Sequence, residues 1–184
     1  AGYVSFGGTW SGKEYTVVDP QSLFFVPGEG LAFTETQERW SVFSVVDQPL
    51  WVDPSHGSRE LSFKGMYTLT DGEASPIKWS ATAALKLTSP IRNRDSDTFA
   101  VGYFHNELNS GFKNAVGPLL SAAATVTNRE RTRIAIEDTD GFEAYYVAQL
   151  TPWFAMTGDV QVITETLSTE DTKLVTGLRG KLTF

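Results

Sequence analysis

The chain has 184 residues, a formal net charge of −7, 41 % hydrophobic and 20 % charged residues, and no cysteine. The acidic balance is wrong for a phosphate backbone, so nucleic acid is not an expected partner; lack of thiols excludes disulfide staples, thiolate metal sites and cysteine catalysis. No stretch approaches the roughly 18 consecutive apolar residues of a membrane-spanning helix.

From the N-terminus onward the dominant signal is alternation with period two, broken by clusters of Asp, Gly, Pro, Ser and Asn about every ten residues. It predicts strands near 2–11, 38–51, 59–70, 76–88, 97–108, 141–151, 153–165 and 172–184. In 38–51 the phase is ambiguous, because RWSVFSVVDQ is apolar on both faces. In 59–70, Leu61, Phe63, Gly65, Tyr67 and Leu69 oppose Glu60, Ser62, Lys64, Met66 and Thr68. In 76–88, Trp79, Ala81, Ala83, Leu85 and Leu87 oppose Lys78, Ser80, Thr82 and Lys86. The 141–151 segment sets Phe142, Ala144, Tyr146, Ala148 and Leu150 against Glu143, Tyr145, Val147 and Gln149. In 153–165, Phe154, Met156, Val160 and Val162 oppose Asp159, Gln161 and Glu165. The last segment sets Leu174, Thr176, Leu178, Gly180 and Leu182 against Arg179 and Lys181.

The connections fall into two alternating sets. One holds the LTPW corner at 150–153 and the stretches 52–58 and 89–96. The other holds the long stretches 12–37 and 109–140, with 71–75 and 166–171 as its short members. Within 109–140, GPLLSAAATVTNRE tolerates a short helix around Pro118.

Alternation of this kind suits a soluble β-sandwich, including a carbohydrate-binding module with GGTWSG and the tryptophans as a platform, or a small closed barrel. It also suits a transmembrane β-barrel, either part of a larger pore or a small eight-stranded outer-membrane barrel with an enzymatic or adhesive role. The aromatics favour the barrel: Trp10, Trp40, Trp51, Tyr67, Trp79, Trp153, Phe154 and Phe184 gather at strand ends, while Ala, Gly, Val and Leu fill the middles of the apolar faces. Rings at both edges of an apolar band are interfacial girdles.

A barrel of that kind turns its polar faces to water. The expected pore-lining set is Glu143, Tyr145, Gln149, Asp159, Gln161, Arg179 and Lys181, which three consecutive strands carry, together with Lys64 and Lys78. Charged groups and amides hydrogen-bond neutral polyols, and a ring such as Tyr145 stacks on a sugar face. Signals for catalysis are thin. His56 and Ser58 could pair as base and nucleophile, but they sit in a turn. The carboxylates at Asp95 and Asp97, and at Asp138 and Asp140, read as turn formers. No metal or cofactor site is expected.

SPIKWSATAALKL and DTFAVGYFHNELN, followed by DGFEAYYVAQLTPWFAMTGDVQVI and a terminal TGLRGKLTF, resemble the carbohydrate-selective porin family typified by OprB. VVDQPLWVDP is similar as well. The resemblance covers 38–184 well and 1–37 loosely, and it falls on the C-terminal half of a chain about twice as long. It implies an all-β, transmembrane antiparallel barrel of sixteen strands, with residues 1–184 as one eight-stranded half-barrel region. It further implies diffusion of mono- or oligosaccharides across the outer membrane of a Gram-negative-type bacterium, without enzymatic activity or cofactor. Outer-membrane lipid would face Leu174, Leu178 and Leu182. Terminal Phe184 resembles the tag read by the barrel-assembly machinery, and the remaining half of the barrel or other porin subunits would be partners.

Overall fold

The structure, a computed structural model, describes residues 1–17, 19, 23–28, 30–128 and 133–183. Its main body is one eight-stranded antiparallel sheet. Its strands are β1 (Tyr3–Ser11), β6 (Arg39–Val52), β7 (Glu60–Thr70), β8 (Ile77–Thr88), β9 (Thr98–Leu108), β10 (Thr139–Thr151), β11 (Phe154–Ile163) and β12 (Lys173–Leu182). Each pairs with the next in chain order. Every expected strand is present, with ends displaced by at most two residues. Phe184 lies outside the described residues.

The connection between β1 and β6 is richer than a plain loop. It holds two antiparallel pairs, β2 (Tyr15–Thr16) with β5 (Glu35–Thr36), and β3 (Leu23–Val26) with β4 (Gly30–Phe33). Between β9 and β10 runs α1 (Ser110–Asn128), with Pro118 in its middle. Two anchors hold it: Ser121 Oγ accepts from Ile134 N at 2.8 Å, and Asp138 Oδ1 receives both Lys113 Nζ and Leu108 N at 2.7 Å. Burial pushes the Asp138 carboxyl up, but the Lys113 ammonium and the Leu108 N–H outweigh it and hold it below its ordinary value. No described helix is long and apolar enough to cross a membrane, which says nothing of strands.

The two faces of the sheet differ in kind. Register partners share a face, and that settles the phase of β6. Trp40 pairs with Trp10, and Ser44 with both Phe6 and Tyr67, on the side of the apolar stripes. Phe43, Val45 and Asp47 stand on the opposite side, with Thr68, Met66 and Lys64. The apolar side is bare: Phe6 is 80 % exposed, Leu178 74 % and Phe142 63 %. Among the described residues, the buried apolar side chains are only Ala100, Ile136 and Ala155. A sandwich would bury one face of this sheet under another. Here the only other described sheets are the two short pairs before β6. Nor do β1 and β12 pair with each other among the described residues, so the sheet is open rather than a closed eight-stranded barrel. A contiguous apolar face on this scale marks a membrane or a partner.

The rings take the positions their sequence spacing suggested. Trp10, Trp40 and Trp79 lie at the end of the sheet that carries the long connections, and Trp51, Trp153 and Phe154 at the end with short turns.

Candidate functional site

The polar face is richest where β10, β11 and β12 adjoin. Glu143 stands opposite Gln161 and Tyr145 opposite Asp159. Asp159 in turn stands opposite Gly177, Thr157 opposite Arg179, and Ala155 opposite Lys181. Six of the expected residues therefore share one wall.

Gly177 decides how they meet. A Cβ there would lie 2.6 Å from Asp159 Oδ1 and 2.8 Å from Oδ2, so the carboxylate lies over the glycine in space any other residue would fill. Asp159 is left 8 % exposed. Arg179 Nη2 reaches Asp159 Oδ1 at 3.3 Å and Glu143 Oε1 at 3.8 Å. Gln161 Nε2 donates to Glu143 Oε1 at 3.2 Å and to Asp159 Oδ2 at 3.4 Å. Two carboxylates, an amide and a guanidinium thus form a mesh. The Arg179 side chain is 65 % exposed, so each contact stabilises by about 0–1 kcal/mol. Orientation matters more: both carboxylates meet the guanidinium at the same nitrogen, Nη2, of its rigid fork.

A second charged pair lies on the same face. Lys64 stands opposite Asp47 and places its ammonium on that carboxylate. Their register row continues through Ala84 and Gly102 to Glu143 and Gln161. Two small residues therefore separate the Lys64 pair from the Arg179 mesh, and the wall is recessed between them.

Two expected site residues do other work. The β8 ladder shifts between Ile77 and Trp79, leaving Lys78 in a bulge. Its ammonium reaches Glu107 Oε1 at 2.9 Å, and Glu107 also accepts from Trp79 Nε1 at 2.6 Å. Glu107 is the register partner of Trp79, so Lys78 is drawn toward the apolar side, away from the mesh. Gln149 is taken up by the corner after β10: its Nε2 donates to Thr151 O at 2.6 Å and its backbone N–H to Asp97 Oδ1 at 2.9 Å. Near Trp79, His105 contacts that ring at a centroid distance of 4.5 Å, and its Nδ1 lies 2.8 Å from Asp140 Oδ1. His56 and Ser58 lie in the turn before β7, where His56 N and O make backbone hydrogen bonds with Asp53 and Arg59.

Sequence reasoning missed Asp47 and the role of Asp97. The phase of β6 hid the first, although an aspartate two residues beyond Val45 was the available clue. Asp97 receives Tyr146, a partner 49 residues away, and no local pattern announces that.

A family model described as "Carbohydrate-selective porin, OprB family" matches residues 2–184. Comparison with curated proteins yields no match. Among solved structures, the chain is similar to that described as "High pH structure of Pseudomonas putida OprB", with 19 % identity and a TM-score of 0.83. The similarity covers 100 % of this chain and 44 % of the other, so the chain spans less than half the length of that relative. The eight-stranded sheet matches part of that sixteen-stranded barrel.

Proposed function

The chain belongs to the OprB family of carbohydrate-selective porins, and we propose that its sheet is one part of the wall of a water-filled barrel through which sugars diffuse. Porins of this family are outer-membrane proteins, and they are not enzymes. In this reading residues 1–184 are one continuous half-wall in a Gram-negative-type outer membrane. The observation that carries it is the contrast between faces: exposed Leu174, Leu178, Phe6 and Phe142 on one side, and the Glu143–Gln161–Asp159–Arg179 mesh on the other. Lipid suits the first and water the second.

Mono- or oligosaccharides are the solutes this polar face suits. Its signs are mixed, so it holds no strong field against a neutral solute, and its exposed donors exchange readily with hydroxyls. Conduction needs contacts weak enough to release the solute. Arg179, Lys181, Glu143, Tyr145, Asp159 and Gln161 form the main contact strip, with Lys64 across the recess. Gln149 and Lys78 contribute to the frame. Terminal Phe184 would serve the assembly machinery, and the remaining strands would close the barrel.

The test is osmotic swelling of vesicles that hold the complete barrel, with mono- and oligosaccharides as solutes. Influx is expected, and vesicles that stay sugar-tight overturn the reading. In planar bilayers two substitutions have opposite signs. Arg179→Ala leaves Glu143 and Asp159 without their cation and shifts selectivity toward cations. Asp159→Ala frees Arg179 and shifts it toward anions. Unchanged reversal potentials in both would remove the mesh from the conduction path.

A further inference from the structure

Beside Tyr3 and Tyr145, whose hydroxyls suit water, the polar face carries two phenylalanine rings that lipid exposure does not explain. Phe43 on β6 and Phe104 on β9 share it with the charged residues, by register with Thr68 and with Thr82 respectively. Each ring has a glycine directly opposite on the neighbouring strand: Gly7 for Phe43 and Gly141 for Phe104.

The glycines show how the rings lie. A Cβ on Gly7 would sit 2.4 Å from Phe43 Cζ and 2.9 Å from both Cε atoms. With the ring seen edge-on along its axis, both Cε atoms would be much farther away than Cζ. The near-equal distances put the glycine beneath the ring face. For Phe104 the corresponding distances from Gly141 are 2.3 and 2.4 Å to Cζ and Cε1, and 3.2 Å to Cε2, again a face over a glycine. Each ring therefore lies down on backbone. Phe43 remains 37 % exposed, so it shows its other face to the polar side. Hydroxyls frame it: Thr68 opposite, and Ser41 two residues away, bonded to Thr9 at 2.7 Å. The Thr82 hydroxyl opposite and the Asn106 amide two residues along flank Phe104.

A flat, open aromatic face with hydroxyls at its rim is the complement of a pyranose, which has an apolar C–H face and a hydroxylated edge. Charge-lined wall alone supplies only the second kind of contact. We propose that Phe43 and Phe104 are glycine-backed stacking platforms for sugar rings, placed toward the long-loop end of the polar face. This rests on the reading of the chain as part of a sugar pore, and it adds the surface that recognises the ring itself. Gly7 and Gly141 are positioning residues for these platforms.

The experiment is sugar-dependent block of ion current through the complete barrel, titrated with a monosaccharide and a linear oligosaccharide. Phe43→Leu keeps apolar volume but removes the flat face, and sugar affinity should fall by about three- to tenfold, the scale of an aromatic stacking contact. Phe43→Trp should retain or raise it. Gly7→Ala, which forces the ring off the strand, should reproduce the loss with Phe43 still present. Sugar-free conductance reports on assembly, and Phe104→Leu supplies the same reading where a Phe43 variant fails to insert. A wild-type barrel admitting no sugar overturns the pore reading itself. Sugar block that is equal in wild type, Phe43→Leu, Phe104→Leu and Gly7→Ala overturns the platforms alone.

Discussion

Leu178→Arg is expected to prevent the sheet from holding its place in a membrane while removing almost no contact. Leu178 stands opposite Gly158 on β11 and is 74 % exposed, in a stripe with Leu174 and Leu182. In water such a position tolerates most side chains to within about 0.5 kcal/mol. At the midplane of a bilayer, arginine on a barrel's lipid face costs roughly 2–4 kcal/mol. One residue along the chain, Arg179→Leu places an apolar side chain on the wet face and avoids that cost. Urea titrations of barrels folded into vesicles compare the two. Equal midpoints for wild type and Leu178→Arg would place the apolar face somewhere other than lipid.

Asp97→Ala should be the most damaging change at the short-turn end. Asp97 is 1 % exposed and receives Arg94 Nη2 at 3.1 Å, Arg94 Nε, the Tyr146 hydroxyl and the Gln149 backbone N–H. It thereby ties the turn before β9 to the end of β10. The turn itself holds Ser89 and Asn93 at positive φ, a conformation non-glycine residues keep only where the surroundings impose it. Removing the carboxylate orphans several donors at once, and a loss of roughly 3 kcal/mol is expected. Asp97→Asn should recover only part of it, because an amide loses the charge that Arg94 needs.

The same site predicts a pH dependence. Burial pushes the Asp97 carboxyl up, but hydrogen bonds from Arg94, Tyr146 and Gln149 outweigh it and hold it below its ordinary value of 3.8. A depressed folded pKa means that the unfolded chain binds the proton first. The Asp97 contribution is therefore complete above the unfolded value, and it is lost as pH falls from there through the folded one. Unfolding midpoints measured on both sides of pH 4 should converge between wild type and Asp97→Asn on the acid side. A constant gap would remove Asp97 titration from the account.

Much of the wall was legible from residue order. Alternation in 59–70, 141–151 and 153–165, and in 76–88 apart from Lys78, assigned faces that the register repeats, because period two is a property of each strand alone. Where both faces of a strand are apolar, as in 38–51, periodicity carries no phase. Only pairing of Asp47 with Lys64 and of Trp40 with Trp10 resolved it. Lys78 shows the opposite failure. Its parity was right for a regular strand, but a bulge before Trp79 turned it to Glu107.

By itself, then, the sequence determined an antiparallel meander with one apolar and one polar face, ringed by aromatics at both ends. Those features depend on spacing within single strands. Tertiary structure decided which polar residues meet: Asp159 with Arg179 across Gly177, Asp97 with Tyr146, and each of two phenylalanines with its glycine. Such meetings depend on register, which turn lengths and bulges set between strands, and no residue encodes its own neighbour across that gap.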